Sequence, residues 1–256
     1  MTATVPTTTP YLDRPPFDDD RPRLFCFHHA GGGASAFAGW RNALAKHLDV
    51  FPVQLPGREG RVAEPAVRDI DALVADLDEH LGPFLRQPFL FYGHSMGALV
   101  AYRLTHYRVR TGQSTPDALV VGGYPPPDQD PPMRDDSAEL NAVLGELTGR
   151  LGRFPRWVDA AKALLSDDIA LVESHEPVKR PPLPVPIHML TGTHDPLMTP
   201  TDALGWARHT SAHCRVHIVP GGHLFTRDSP AIVHALVVAA AHNHRVTGEK
   251  LRGLRA

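Results

Sequence analysis

Phe89-Leu-Phe-Tyr-Gly-His-Ser-Met-Gly-Ala98 reads as a hydrophobic strand, a sharp turn and the start of a helix. The turn is Gly93-His94-Ser95-Met96-Gly97, a G-x-S-x-G, and a helical pattern follows to about Arg110. At such a corner the serine sits on a strained backbone with its hydroxyl presented above the sheet. Glycine is needed on both sides because a Cβ there would crowd the turn. The helix that follows aims its amino end and free N–H groups at the same spot. The motif alone is short enough to recur by chance. The strand before it and the helix after it make it a nucleophile elbow.

Outward from the elbow, strands and helices alternate. Residues 24–30 form a strand pattern ending in Gly31-Gly-Gly33, followed by a helix pattern to Leu48 and a strand at 50–55. Ile70, Leu73, Val74, Leu77 and Leu81 recur at helical spacing. After the elbow helix comes a buried strand at 118–122, then Pro125-Pro-Pro127. Between 128 and 186 the rhythm breaks. Helices are expected at 137–151, 155–165 and 166–174 with no strand between them, bracketed by proline-rich hinges. This stretch reads as a helical lid inserted over the end of the sheet. The alternation resumes with strands at 187–190 and 215–219 and helices at 201–209 and 230–242, and a basic, frayed end is expected after Val246. The fold class is therefore α/β: a mostly parallel sheet with helices on both faces. Residues 1–20 are rich in Thr, Pro and Asp and read as a mobile tail, so 21–256 form one domain with a lid at about 128–186.

The chain has 256 residues, 42% hydrophobic and 21% charged, with a net charge of −2, which suits a single α/β domain. No Lys/Arg run follows a phosphate backbone, so nucleic acid is not an expected partner. The longest apolar run, 235–241, is far too short to span a bilayer. The amino terminus has neither a basic n-region nor an apolar h-region, so no secretory leader is expected. Cys26 and Cys214 read as thiols rather than a disulfide, which fits a cytoplasmic protein. Sixteen histidines raise the question of zinc, yet H-E-x-x-H and C-x-x-C are both missing. His209, His213 and His217 are split between a helix and a strand. No metal is expected.

A serine hydroxyl is a weak nucleophile near neutral pH and needs a base, which in turn needs an orienting group. In the α/β-hydrolase arrangement the acid and then the histidine follow the serine, each in a loop after a strand. Asp195 follows the strand at 187–190, and His223 follows the last strand in Gly-Gly-His-Leu-Phe225. The expected roles are Ser95 as nucleophile, His223 as base and then acid, and Asp195 as orienter. Asp202 and Asp228 are the rival acids, and His194 is the rival base. The oxyanion needs two donors. One is the backbone N–H of Met96. The other comes from His28-His29-Ala30-Gly31-Gly32-Gly33 and is assigned to Ala30, with Gly31 as the alternative.

Five stretches carry a family resemblance: Phe27-His-His-Ala-Gly-Gly-Gly33, Leu55-Pro-Gly-Arg-Glu59, Gly93-His-Ser-Met-Gly-Ala98, Gly192-Thr-His-Asp-Pro196 and Gly221-Gly-His-Leu-Phe225. Through them the chain resembles the type II thioesterases of polyketide synthase and non-ribosomal peptide synthetase pathways, which are stand-alone α/β-hydrolases. Leu-Pro-Gly-Arg-Glu is the most diagnostic. The resemblance implies hydrolysis of acyl or aminoacyl thioesters from the phosphopantetheine arm of an acyl or peptidyl carrier protein, with no cofactor. It implies removal of aberrant or stalled units, and a monomeric enzyme. The match loosens in the lid, where Leu165-Ser-Asp-Asp-Ile-Ala-Leu-Val-Glu-Ser-His175 puts a histidine at the family's tyrosine position. Arg58, Arg61, Arg150, Arg153 and Arg156 are candidates to meet an acidic carrier. The same triad also suits a small-molecule carboxylesterase or lactonase, or an acyltransferase. A scaffold homologue would usually have lost a triad member.

Overall fold

A computed structural model describes residues 8–16, 20–85, 88–131 and 155–253, with the backbone alone for 155–158 and 243–253. Six strands form one sheet: β1 Arg23–Phe27, β2 Asp49–Pro52, β3 Phe89–His94, β4 Ala118–Gly122, β5 Ile187–Gly192 and β6 Cys214–Val219. Their order is β2-β1-β3-β4-β5-β6, and every neighbouring pair is parallel. The α-helices among the described residues are α1 Trp40–Leu44, α2 Ile70–Leu81, α3 Met96–Arg110, α4 Pro155–Glu173, α5 Pro200–Ala203, α6 Phe225–Asp228 and α7 Pro230–Gly253.

The strands are apolar on both faces because both faces are covered. Phe25, Phe27, Phe89 and Phe91 face the layer of α2, α3 and α4. Their alternate neighbours Leu24, Cys26, Leu90 and Tyr92 face Trp40 and Leu44 of α1 and Val233 and Val237 of α7. The chain leaves β1 toward β2 on one side and returns to β3 on the other. That reversal puts a topological switch point between the carboxyl ends of β1 and β3, where α/β sheets bind their ligands.

Several expectations are corrected. Residues 8–16 are not a free tail: Tyr11 is fully buried in the core, and its carbonyl accepts the Gln54 N–H at 3.0 Å. The helix expected up to Leu48 is a 3-10 turn, Ala34–Phe37, and the five-residue α1, separated by Gly39 at φ 83°. The helices expected at 155–165 and 166–174 are one continuous α4, because Ser166 continues the helix. The segment 201–209 is α5 followed by a 3-10 helix, Leu204–His209. The last helix continues through the expected frayed end to Gly253. The helix expected at 137–151 lies outside the described residues. Within the 128–186 stretch, Leu165, Ile169, Leu171 and Val172 are part of the main core.

Candidate active site

Ser95 stands between β3 and α3 at φ 55° and ψ −122°, a conformation rare for a residue with a side chain. Close packing forces the corner. A Cβ on Gly93 would lie 2.1 Å from the Gly97 carbonyl oxygen, and one on Gly97 would lie 2.1 Å from that of Phe27. The Ser95 N–H donates to the Gly122 carbonyl at 2.7 Å, which ties the corner to β4. Ser95 is the N-cap of α3, but its side chain makes no capping bond. The hydroxyl is left for other work.

Asp195 and His223 leave the carboxyl ends of adjacent strands, β5 and β6, and meet. His223 Nδ1 lies 3.0 Å from each Asp195 carboxylate oxygen, and Oδ1 also accepts the Leu197 N–H at 3.0 Å. Both side chains are essentially buried. His223 Nε2 is buried and has no hydrogen-bond partner among the described residues. His94, beside Ser95, joins the two parts: its ring centroid is 5.4 Å from that of His223, and its Nε2 donates to the His223 carbonyl at 2.8 Å.

The rivals are engaged elsewhere. Asp202 forms a capping box with Thr199. Asp228 accepts the Gly222 N–H at 3.1 Å and braces the histidine turn without touching the ring. His194 is exposed and bonded to Thr193 Oγ1 at 3.0 Å. Burial holds His94 and His28 down to about 3, with His223 and Arg58 respectively adding to the shift, and His29 well below the ordinary range. These neighbours stay neutral at physiological pH and form a ring-lined wall.

The glycine loop after β1 settles into a specific hydrogen-bond pattern. The Gly31 N–H donates to Asp168 Oδ2 at 2.7 Å, and the Gly32 N–H to the His29 carbonyl at 3.0 Å. Gly31 is thereby occupied, whereas the Ala30 N–H has no acceptor among the described residues. The Met96 N–H is the first of α3 and has no carbonyl a turn earlier to bond.

Sequence reasoning missed Asp168. It lies on α4, is wholly buried, and forms a fork-to-fork pair with Arg58: Nη1 to Oδ2 and Nη2 to Oδ1, each 2.7 Å. Burial pushes its carboxyl up, while Arg58 and the Gly31 N–H pull the other way. A signal existed. Asp168 falls on the same helical stripe as Leu165, Ile169 and Val172, where a charge is out of place without a partner. Arg58, 4% exposed, is accordingly no surface contact for a carrier. Arg61 is paired with Glu64 and stacked over Tyr11. The side chains of Arg150, Arg153 and Arg156 lie outside the described residues. His175, at the position where the family has tyrosine, is a buried strut: Arg103 donates to Nδ1 at 2.8 Å and Nε2 donates to the Pro127 carbonyl at 2.7 Å.

The thioesterase domain family matches residues 22–237 of the chain. A relative named probable cadicidin biosynthesis thioesterase, from Streptomyces griseus, is 33% identical over 90% of this chain and 65% of its own length. Linear gramicidin dehydrogenase LgrE from Brevibacillus parabrevis is 30% identical over 87% of this chain and 89% of its own. Among solved structures, the type II thioesterase BorB from the borrelidin biosynthetic cluster superposes with a TM-score of 0.75 at 32% identity, covering 90% of this chain and 95% of BorB.

Proposed function

The chain belongs to the thioesterase domain family and acts on thioester bonds, and we propose that it does so through Ser95, His223 and Asp195 on acyl groups carried by a phosphopantetheine arm. Its work is that of a type II editing enzyme of polyketide or non-ribosomal peptide assembly: aberrant or stalled acyl and aminoacyl units are cut from carrier proteins. The observation that carries the proposed machinery is the buried Asp195–His223 pair, linked through His94 to the strained Ser95 corner.

In this reading Asp195 holds the proton on His223 Nδ1 and leaves Nε2 as the basic nitrogen. Nε2 takes the Ser95 hydroxyl proton as Oγ attacks the thioester carbonyl. The tetrahedral oxyanion takes hydrogen bonds from the Ala30 and Met96 N–H groups. Collapse breaks the C–S bond, and the proton on Nε2 leaves with the pantetheine thiol. A water then repeats the sequence on the acyl-serine and releases the free acid. No cofactor is needed.

The dehydrogenase name of the Brevibacillus relative has no counterpart in these parts, which are those of acyl transfer. The carrier is met transiently by a monomer. Two free thiols suit a reducing cytoplasm, and among the described residues no helix is long and apolar enough to cross a membrane.

The test compares kcat/KM for an acyl carrier thioester with that for the matching small oxygen ester and identifies the product. Preference for the carrier thioester with release of free acid supports the reading. Preference for the oxygen ester makes the enzyme a carboxylesterase, and a transferred acyl product makes it an acyltransferase.

A further inference from the structure

The Arg58–Asp168 pair stands outside the proposed triad, yet both its members grip the glycine loop. Its side chains are 3% and 0% exposed. Stability alone gives little reason to bury such a pair, since packed apolar residues of similar volume often do as well or better. Asp168 Oδ2 accepts the Gly31 N–H at 2.7 Å, and Arg58 Nη1 donates to the Gly32 carbonyl at 3.2 Å. The pair therefore clamps the turn on both sides. The loop needs such a clamp because glycines have no side chains to pack it, and Gly31 sits at φ 72°.

The clamp bears on one particular peptide plane. Once the turn is fixed, the Gly32 N–H meets the His29 carbonyl at 3.0 Å, and the His28 Nδ1 lies 2.9 Å from the same oxygen. The His29 carbonyl and the Ala30 N–H belong to one trans peptide and point opposite ways. Fixing the carbonyl aims the N–H. Glu59, at φ 48°, braces the far end of the loop: its carboxylate accepts the Ser35 Oγ–H at 2.5 Å and fills the space a Cβ on Gly33 would need. Leu-Pro-Gly-Arg-Glu thus acts on the loop, with the arginine and the glutamate holding successive parts of it.

We propose that Asp168, through its ion pair with Arg58, is a positioning residue that orients the Ala30 N–H toward the oxyanion, and that it couples α4 to the reaction centre. This rests on the reading of Ala30 as an oxyanion donor. In the free loop the N–H would wander, and misplacement of a single donor by about 1 Å is enough to cost ~10²-fold in rate.

The test uses the double variant Arg58→Met/Asp168→Leu, which replaces the pair by apolar side chains, with Arg108→Met/Asp78→Leu as a control. Arg108 and Asp78 form an ion pair away from the loop. The readouts are the Ser95 labelling rate with a fluorophosphonate, whose phosphoryl oxygen needs the same donors, and kcat and KM on an acyl carrier thioester. The expected result is labelling and kcat slowed in step by about 10- to 100-fold, with KM changed by less than about threefold and wild-type labelling in the control. Wild-type labelling by a folded Arg58→Met/Asp168→Leu enzyme, or equal slowing in the control, would overturn the proposal. If the double variant does not fold, the isosteric Asp168→Asn is read by the same criteria. Wild-type enzyme that labels at Ser95 but hydrolyses no carrier thioester contradicts the proposed function alone, and the labelling ratio still decides the positioning role.

Discussion

His223 Nδ1 sits 3.0 Å from both oxygens of Asp195, two side chains brought together from the ends of neighbouring strands. This contact fixes which ring nitrogen is basic. Asp195→Asn keeps the shape but can offer its NH2 to Nδ1, which favours the wrong tautomer. The expected loss in kcat is about 10³- to 10⁴-fold with thermal unfolding nearly unchanged. Steady-state kinetics beside a thermal melt check this, and a loss below about tenfold would contradict the role given to Asp195.

The Ser95 backbone at φ 55° stores strain that glycine does not feel. Ser95→Gly is expected to stabilise the protein by about 1 kcal/mol while abolishing turnover. Ser95→Ala should abolish turnover without that gain. Denaturant unfolding of the two variants separates strain from the loss of the hydroxyl. Equal stability would mean the corner is unstrained.

Much of this candidate site is legible in the sequence. The bounds of β3 and α3 follow from the glycines of the motif; the crowding at Gly93 is local, 2.1 Å from the Gly97 oxygen, whereas that at Gly97 comes from Phe27 on β1. Asp195 and His223 were legible from chain order, since each follows a strand. The Arg58–Asp168 pair was not. Its members are 110 residues apart, and only the packing of α4 against the loop after β2 joins them. Tyr11 was missed for the same reason. Apart from Leu12, its neighbours are Thr, Pro and Asp, and the pocket that buries it, beneath Arg61, belongs to the domain.

That burial makes a direct prediction. Tyr11→Ala removes a fully buried ring and its hydroxyl contact with Asp76. It should cost about 3 kcal/mol or more, measured by urea unfolding. A cost under about 0.5 kcal/mol would return residues 8–16 to the status of a tail.

Acid should weaken the fold through its buried histidines. His28 and His94 are held to about 3 by burial, against an ordinary value of 6.5. Below pH 6.5 the unfolded chain takes up these protons while the folded chain does not, so stability falls as pH falls. Well below 6.5 each contributes a slope approaching about 1.4 kcal/mol per pH unit. The two together should give a steep drop in melting temperature between pH 6.5 and 5, reduced in His94→Gln. A flat profile over that range would contradict the burial of these rings.

His175 ties α3 to the loop after β4 by accepting from Arg103 and donating to Pro127. His175→Ala leaves a buried carbonyl unpaired and should cost about 1–3 kcal/mol. Unfolding curves give the number, and a variant as stable as wild type would remove the strut.

The central claim is that Ser95 receives an acyl group from a carrier-bound thioester and passes it to water. Single-turnover intact mass spectrometry of enzyme mixed with acyl-loaded carrier protein tests it most directly. The expected result is a transient enzyme adduct of the acyl mass on the Ser95 peptide, followed by free acid and bare holo-carrier, with Ser95→Ala leaving the carrier acylated. Deacylation of the carrier by Ser95→Ala at the wild-type rate, or a wild-type enzyme that leaves every loaded carrier intact, would contradict it.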